Sequence, residues 1–316
     1  MIYSAFHHKH LALRESLNLF LESLRPNAAQ RFQTLAQSLF ERPTLDEENQ
    51  IAYAFRQPVK EIRSLLAENR LHNLRFEQRR NTVERAALVQ RYCEGFKIPQ
   101  REDYLDLIRK DERSRIFTSF HCGDFLYGSA SLFNLDSSKR KKFVLSLNRN
   151  SSACYSNLSA GFSNTALGPK CELLLTETGT SKLSQILRAG NSSILLFCDL
   201  PPGLNETTEV NFLNRQAWFS IGPAILALVN RVPLLPFINY STGNSSYLKL
   251  GNQIEPILLP SETLQMGAKR ITQSLVSFFE AVFLESPEQW RFLSFLPGYF
   301  SKPSSGEVSR CQKLVE

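Results

Sequence analysis

An α/β fold, with a mostly parallel central sheet flanked by helices and preceded by an N-terminal helical region, is predicted by three observations. Apolar residues recur every three or four positions up to about residue 110. From Arg115 onward short runs of Ile, Val, Leu and Phe alternate with segments of helical character. The chain has 316 residues, 42% of them apolar and 21% charged, which is enough for a substantial core. The expected organisation is a helical region over 1–110 packed on the core, an α/β core over 111–300 and a tail over 301–316.

The elements follow in order. Leu13, Leu17, Phe20, Leu21 and Leu24 mark one buried stripe, and Phe32, Leu35, Ala36, Leu39 and Phe40 a second after Pro26. Thr44 followed by Glu47 has the pattern of a capping box and opens a third helix toward Phe55. Pro58 starts a fourth carrying Val59, Ile62 and Leu66, and a fifth runs from Thr82 to Glu94 before Gly95. The predicted strands are Arg115 to Phe120, Phe143 to Leu147, Cys171 to Thr176, Ser193 to Cys198 and Val232 to Ile238, apolar enough to be buried on both faces. Between them lie helices at Phe125 to Phe133, Ser181 to Ala189 and Pro223 to Val229. A last helix spans Ile271 to Leu284 and leads to Trp290. Right-handed crossovers put the working loops beyond the C-terminal ends of the strands.

Composition excludes several classes. No apolar run reaches the roughly 18 residues of a spanning helix, since Ile221 to Ile238 is interrupted by Asn230, Arg231 and prolines. Met1 is followed by a polar, His-rich segment, so a secretion signal is not expected and a cytoplasmic location is. The charge is 37 basic minus 30 acidic, or +7, with the excess spread along the chain, which argues against a nucleic-acid partner. One dense cluster, Lys139-Arg140-Lys141-Lys142, suits an acidic carrier protein or peripheral contact with an anionic membrane, or is a solvated loop. The six cysteines include no C-x-x-C pair and no zinc spacing, so reduced thiols and no metal are expected.

Four of the five histidines lie in the helical region, and the fifth, His121, falls at the C-terminal end of a predicted strand. Gly123 follows it, and Asp124 lies three residues on, close enough to share a face if a helix begins there. A carboxylate holding one ring N–H fixes the tautomer and leaves the other nitrogen to take a proton, which is what a general base requires. The same spacing also fits a structural histidine capped by Asp124. Arg149, at the end of a strand, is a candidate to clamp an anionic group or hold developing negative charge. Asp199 and Glu177 are further carboxylates at strand ends, although Asp199 before Pro-Pro-Gly is also an ordinary turn residue. Cys122 is adjacent to His121 and therefore points to the other face. Trp290 reads as a buried aromatic anchor.

A series of segments in order resembles the bacterial lipid A late acyltransferases, the lauroyl and myristoyl transferases of the glycerol-phosphate acyltransferase-like superfamily. The resemblance spans about 115–292. His121 and Gly123 match the family's His-x4-Asp/Glu motif, and Phe143 to Arg149 resembles its strand followed by an arginine. Leu187 to Gly190 with Ile194 to Gly203 is similar to a helix, strand and Asp-Gln-Asp-x-Gly loop, of which Asp199 and Gly203 remain. Phe219 to Ala224, Val232-Pro-Leu-Leu-Pro236 and Pro287-Glu-Gln-Trp290 complete the series. The family's acid position, five residues after the histidine, holds Leu126. The orienting carboxylate is therefore Asp124 in a shifted geometry, comes from elsewhere, or is missing.

The resemblance implies an acyltransferase that moves an acyl group from an acyl carrier protein or coenzyme A thioester to a hydroxyl or amine acceptor, with no cofactor. On this reading His121 is the base and Asp124 orients it. Gly123, Arg149 and Asp199 bind substrate or stabilise the oxyanion. Two alternatives stay open: aminoacyl transfer from an aminoacyl-carrier protein, as in the glycyl transferases of the superfamily, or an inactive binding protein on the same fold.

Overall fold

The structure, a computed structural model, describes residues 43–82, 95–99, 101–135, 141–146, 171–175, 179–203, 205–243 and 245–302. Contacts gather Pro43–Glu316 into one compact unit, and every described residue lies in it. The first two predicted helices, that from Thr82 to Glu94 beyond its first residue, Arg149, Glu177, Lys139 and Arg140 lie outside the described residues, and the tail is described only to Lys302.

Helix α1 (Leu45–Phe55) starts at Thr44, whose hydroxyl accepts from Glu47 N–H at 3.2 Å while Glu47 Oε2 takes Thr44 N–H at 2.7 Å. The reciprocal pair satisfies two orphan donors of the first turn, as the capping pattern predicts. Helix α2 (Val59–Thr82) runs longer than its apolar stripe suggests, and α3 (Arg101–Lys110), passed over in the sequence although Tyr104, Leu107 and Ile108 recur at steps of three and one, leads into the sheet.

The sheet contains β1 (Arg115–Ser119), β2 (Lys141–Ser146), β3 (Cys171–Leu175), β4 (Ser192–Phe197), β7 (Leu234–Thr242) and β8 (Ser245–Leu250) in the order β3-β2-β4-β1-β7-β8. All neighbours are parallel except β7 and β8. The strands between the edges are the apolar runs seen in the sequence, and β1 is buried at every residue. A separate antiparallel hairpin, β5 (Thr207–Phe212) with β6 (Arg215–Ser220), was missed although its residues alternate polar and apolar, because its two-residue turn in the left-handed region is Leu213-Asn214 and carries no glycine. The α/β class is as predicted.

Helices α4 (Phe125–Leu135), α5 (Gly179–Arg188) and α6 (Gly222–Asn230) form the crossovers. Helix α7 (Leu264–Phe283) begins at the Thr263 cap, one turn and more ahead of the apolar stripe from Ile271. It ends in a 3₁₀ turn at Pro287–Gln289, followed by a second at Leu293–Phe295 and the short α8 (Leu296–Tyr299).

Two clusters cover the two faces of the sheet. Ile116, Phe120, Ile194 and Leu196 point toward α6, α7 and the hairpin, where Phe120 stacks on Phe279 with centroids 4.0 Å apart. Phe117, Leu195, Leu235 and Phe237 point to the other side, toward Phe76 of α2 and Phe125 and Phe133 of α4. The alternation is the period of two of a strand. Among the described residues no helix is long and apolar enough to cross a membrane.

Candidate active site

Strands β1 and β4 are neighbours at the centre of the sheet, with Ser119 opposite Phe197. Two residues beyond each lie His121 and Asp199, so register alone brings them side by side at the C-terminal edge. The contact is direct: His121 Nδ1 is 2.7 Å from Asp199 Oδ1, and the His121 backbone N–H donates to Asp199 Oδ2 at 2.7 Å. Asp199 is completely buried and the imidazole is 12% exposed. A carboxylate removed from water is costly unless its oxygens are hydrogen-bonded. Here Trp290 Nε1–H supplies a further bond to Oδ2 at 2.8 Å, and Tyr299 O–H donates to the Asp199 backbone carbonyl at 2.5 Å.

These partners also set the tautomer. The indole N–H and the backbone N–H are donors only, so Oδ2 must accept from both. The remaining bond, at Oδ1, is made by an Nδ1–H of His121, which leaves the Nε2 lone pair unused. Nε2 has no hydrogen-bond partner among the described residues. The ring lies against Phe197 at 4.2 Å and meets Phe125 and Phe292 edge-on at 4.7 and 5.1 Å. Three phenyl walls keep bulk water from most of the imidazole, which strengthens its bond to Asp199.

The sequence reading offered Asp124 to His121, and the structure sets Asp199 at Nδ1 instead. Asp124 lies buried immediately before α4, its carbonyl accepting from Gly128 N–H at 2.9 Å. Leu126, at the family's acid position, is packed into the second core cluster. Asp199, expected at the substrate, bonds the imidazole of His121. Gly123, expected among the oxyanion donors, has φ +55° and gives its N–H to Gln289 C=O at 3.0 Å. A Cβ there would lie 2.8 Å from Asn239 C=O, so the position needs glycine for the close approach of two backbones as well as for the turn. Cys122 faces the opposite cluster, 1% exposed, and burial pushes its thiol well above the ordinary value, which removes it as a nucleophile.

The Pro287-Glu-Gln-Trp290 segment does more than anchor an aromatic ring. Cys122 and Trp290 pair as an antiparallel bridge, and Arg291 N–H donates to His121 C=O at 2.8 Å. The Gln289 amide clasps the backbone of Ser241, accepting its N–H and donating to its C=O, both at 2.7 Å. From α2, Asn69 Nδ2 donates to Glu288 C=O at 2.8 Å and to Trp290 C=O at 2.6 Å, and Asn73 Nδ2 reaches Arg291 C=O at 3.3 Å. These contacts escaped the sequence reading. The signal that could have exposed them is the pair Asn69 and Asn73, four residues apart in line with Ile62, Leu66 and Phe76: polar amides on an apolar stripe require buried partners.

No curated protein matches the chain. Residues 166–295 match the sequence model of a family described as bacterial lipid A biosynthesis acyltransferase. The match begins after His121 and takes in Asp199 and the Pro-Glu-Gln-Trp segment. It supports acyltransferase activity as the general class of reaction, with an acyl donor and a lipid-like acceptor as the general class of substrates. Over residues 166–295, then, the chain is similar to the bacterial lipid A biosynthesis acyltransferase family that its motifs resemble.

Proposed function

We propose that the protein transfers an acyl group from a carrier-protein or coenzyme A thioester to a hydroxyl or amine, with His121 as general base and Asp199 as its orienting carboxylate. The observation that carries this reading is the His121–Asp199 bond at the C-terminal edge of the sheet, with Nε2 unbonded among the described residues. Nε2 takes the proton of the acceptor as its oxygen or nitrogen attacks the thioester carbonyl. The C–S bond then breaks, and the imidazolium returns the proton to the leaving thiolate. Asp199, held by three N–H donors, balances the imidazolium charge in a site where water would otherwise do so. Arg149 is kept in this reading as a candidate for the oxyanion or an anionic group of the substrate. The free thiols Cys122 and Cys198 suit the reducing cytoplasm, where we place the reaction.

Intact-mass analysis after incubation with a panel of acyl- and aminoacyl-carrier proteins and the corresponding coenzyme A thioesters tests the reading and separates acyl from aminoacyl donors. Wild-type protein is expected to discharge one of them to an added hydroxyl or amine acceptor. His121→Gln is expected to lose about 10²- to 10⁴-fold. Full activity in a folded His121→Gln protein overturns the base, and discharge of no thioester overturns the reaction class.

A further inference from the structure

We propose that Trp290 is a positioning residue for the catalytic pair: its Nε1–H fixes the plane of the Asp199 carboxylate, and through it the orientation of the His121 ring. The inference rests on the reading of His121 as base and goes beyond it in assigning a role to the indole nitrogen.

Asp199 Oδ1 makes the working bond to Nδ1, at 2.7 Å. A carboxylate can turn about its last side-chain torsion, and the His121 N–H alone, which belongs to the same loop as the imidazole, offers no independent reference for that rotation. Trp290 offers one. Its indole is fully buried and wedged among four rings, with centroids 5.1 Å from Tyr299, 5.4 Å from both Phe279 and Phe283, and 6.2 Å from Phe212. Its backbone is held by the Cys122 bridge and by Asn69 of α2. The donor on Oδ2 is therefore held by ring packing in the core under α7 as well as by the backbone bridge to the loop that carries the base. Any buried indole needs an acceptor for its N–H, and what bears on function is which acceptor it meets. Here the single polar atom of the side chain is aimed at the carboxylate that bonds His121 Nδ1.

Trp290→Phe keeps a ring in the pocket and removes the N–H. Replacement of Trp290 by β-(3-benzothienyl)alanine exchanges the N–H for sulfur and keeps the bicycle, so it reports on the bond even if the phenylalanine variant folds poorly. Kinetics are followed by discharge of dodecanoyl-pantetheine, a thioester that needs no carrier docking. The expected loss in kcat is about 10- to 100-fold, the range for outer partners of functional histidines at metal sites, with KM nearly unchanged. In an Asp199→Asn background the same change should cost little more, because Trp290 acts through Asp199. Wild-type kcat in both variants, or losses that multiply with that of Asp199→Asn, overturns the proposal. A second readout does not depend on turnover. The His121 ring-proton NMR signals of the ligand-free protein, assigned by their disappearance in His121→Gln, should shift on loss of the indole N–H. Unchanged His121 signals overturn the positioning role. Absence of discharge by the wild type counts against the reaction and leaves the NMR result to decide on Trp290.

Discussion

The two ends of the sheet treat charge in opposite ways. Near the start of β1, Arg113 bridges Asp111 at 2.6 Å and Glu255 at 3.0 Å while remaining about half exposed, and near the start of α7 Arg270 pairs with Glu262 at 2.7 Å. Hydrogen bonds from Arg113 hold both Asp111 and Glu255 below the usual carboxylate range. At the far end no guanidinium among the described residues bonds Asp199. It is sealed from solvent and held by neutral N–H donors and a histidine. The difference teaches what each arrangement can do. A wet ion pair is screened and adds little. A dry carboxylate surrounded by donors is rigid, and among the described residues the partner able to gain a charge is the imidazole.

The largest effect should come from breaking the dry end. Asp199→Asn puts an NH₂ where the carboxylate has an oxygen, facing either the two N–H donors at Oδ2 or the Nδ1–H of His121. Transfer activity should fall about 10²- to 10⁴-fold, measured with the donor that the wild type discharges. Asp124→Asn should fall far less. The reverse ranking would return the orienting role to Asp124 and leave Asp199 a structural carboxylate.

Much of this arrangement was legible in the sequence and part of it was not. The strands showed because a parallel sheet buries both faces, and β1 and β4 read as continuous apolar runs. His121 and Asp199 could each be placed at a strand end. Their pairing could not, because it depends on β4 lying beside β1 with β2 outside it, a strand order that sequence does not announce. A local rule favoured Asp124, three residues from His121, while the pairing that formed spans 78 residues. The Pro-Glu-Gln-Trp segment was recognised, yet its purpose was hidden for the same reason: its bonds run to 69, 121, 199 and 241, all distant in the chain.

The core beneath the pair should be next in sensitivity. Phe279 is fully buried against Phe120, Phe212, Phe283 and Trp290. Phe279→Ala should cost about 3–5 kcal/mol in urea unfolding, by loss of transfer energy and by the cavity left. A cost near that of a surface substitution would show that the indole does not depend on this packing.

A smaller effect is expected where α4 crosses β7. Asn239 lies on the far side of His121 from Asp199, since Thr118 pairs with Pro236 and the register runs on. Its side chain is buried, neither amide atom has a hydrogen-bond partner among the described residues, and a Cβ at Gly128 would sit 1.7 Å from Oδ1. Gly128→Ala should destabilise by about 1–3 kcal/mol through overpacking, and adding Asn239→Ala should recover most of that cost. Independent, additive effects in the double variant would mean that the helix shifts and the amide is not the obstacle.

The smallest effect belongs to the wet end and has a sign that separates it from the rest. Hydrogen bonds from Arg270, and then from the Leu259 N–H, pull Glu262 down to about 2 from the usual carboxylate value of 4.5. A group whose value is lower in the folded state stabilises fully above its unfolded value and loses that contribution as the pH falls through the folded one. The melting-temperature difference between wild type and Glu262→Gln should therefore be small but present at pH 6, close between about pH 4.5 and pH 2, and shrink in high salt because the pair is screened. His121 and Asp199 play no part in that window for this pair of proteins, since both variants carry them unchanged. A difference that persists at the lowest pH would mean that Glu262 acts through packing or its bond to the Leu259 N–H, and that the two ends of the sheet differ less in their use of charge than their solvent exposure implies.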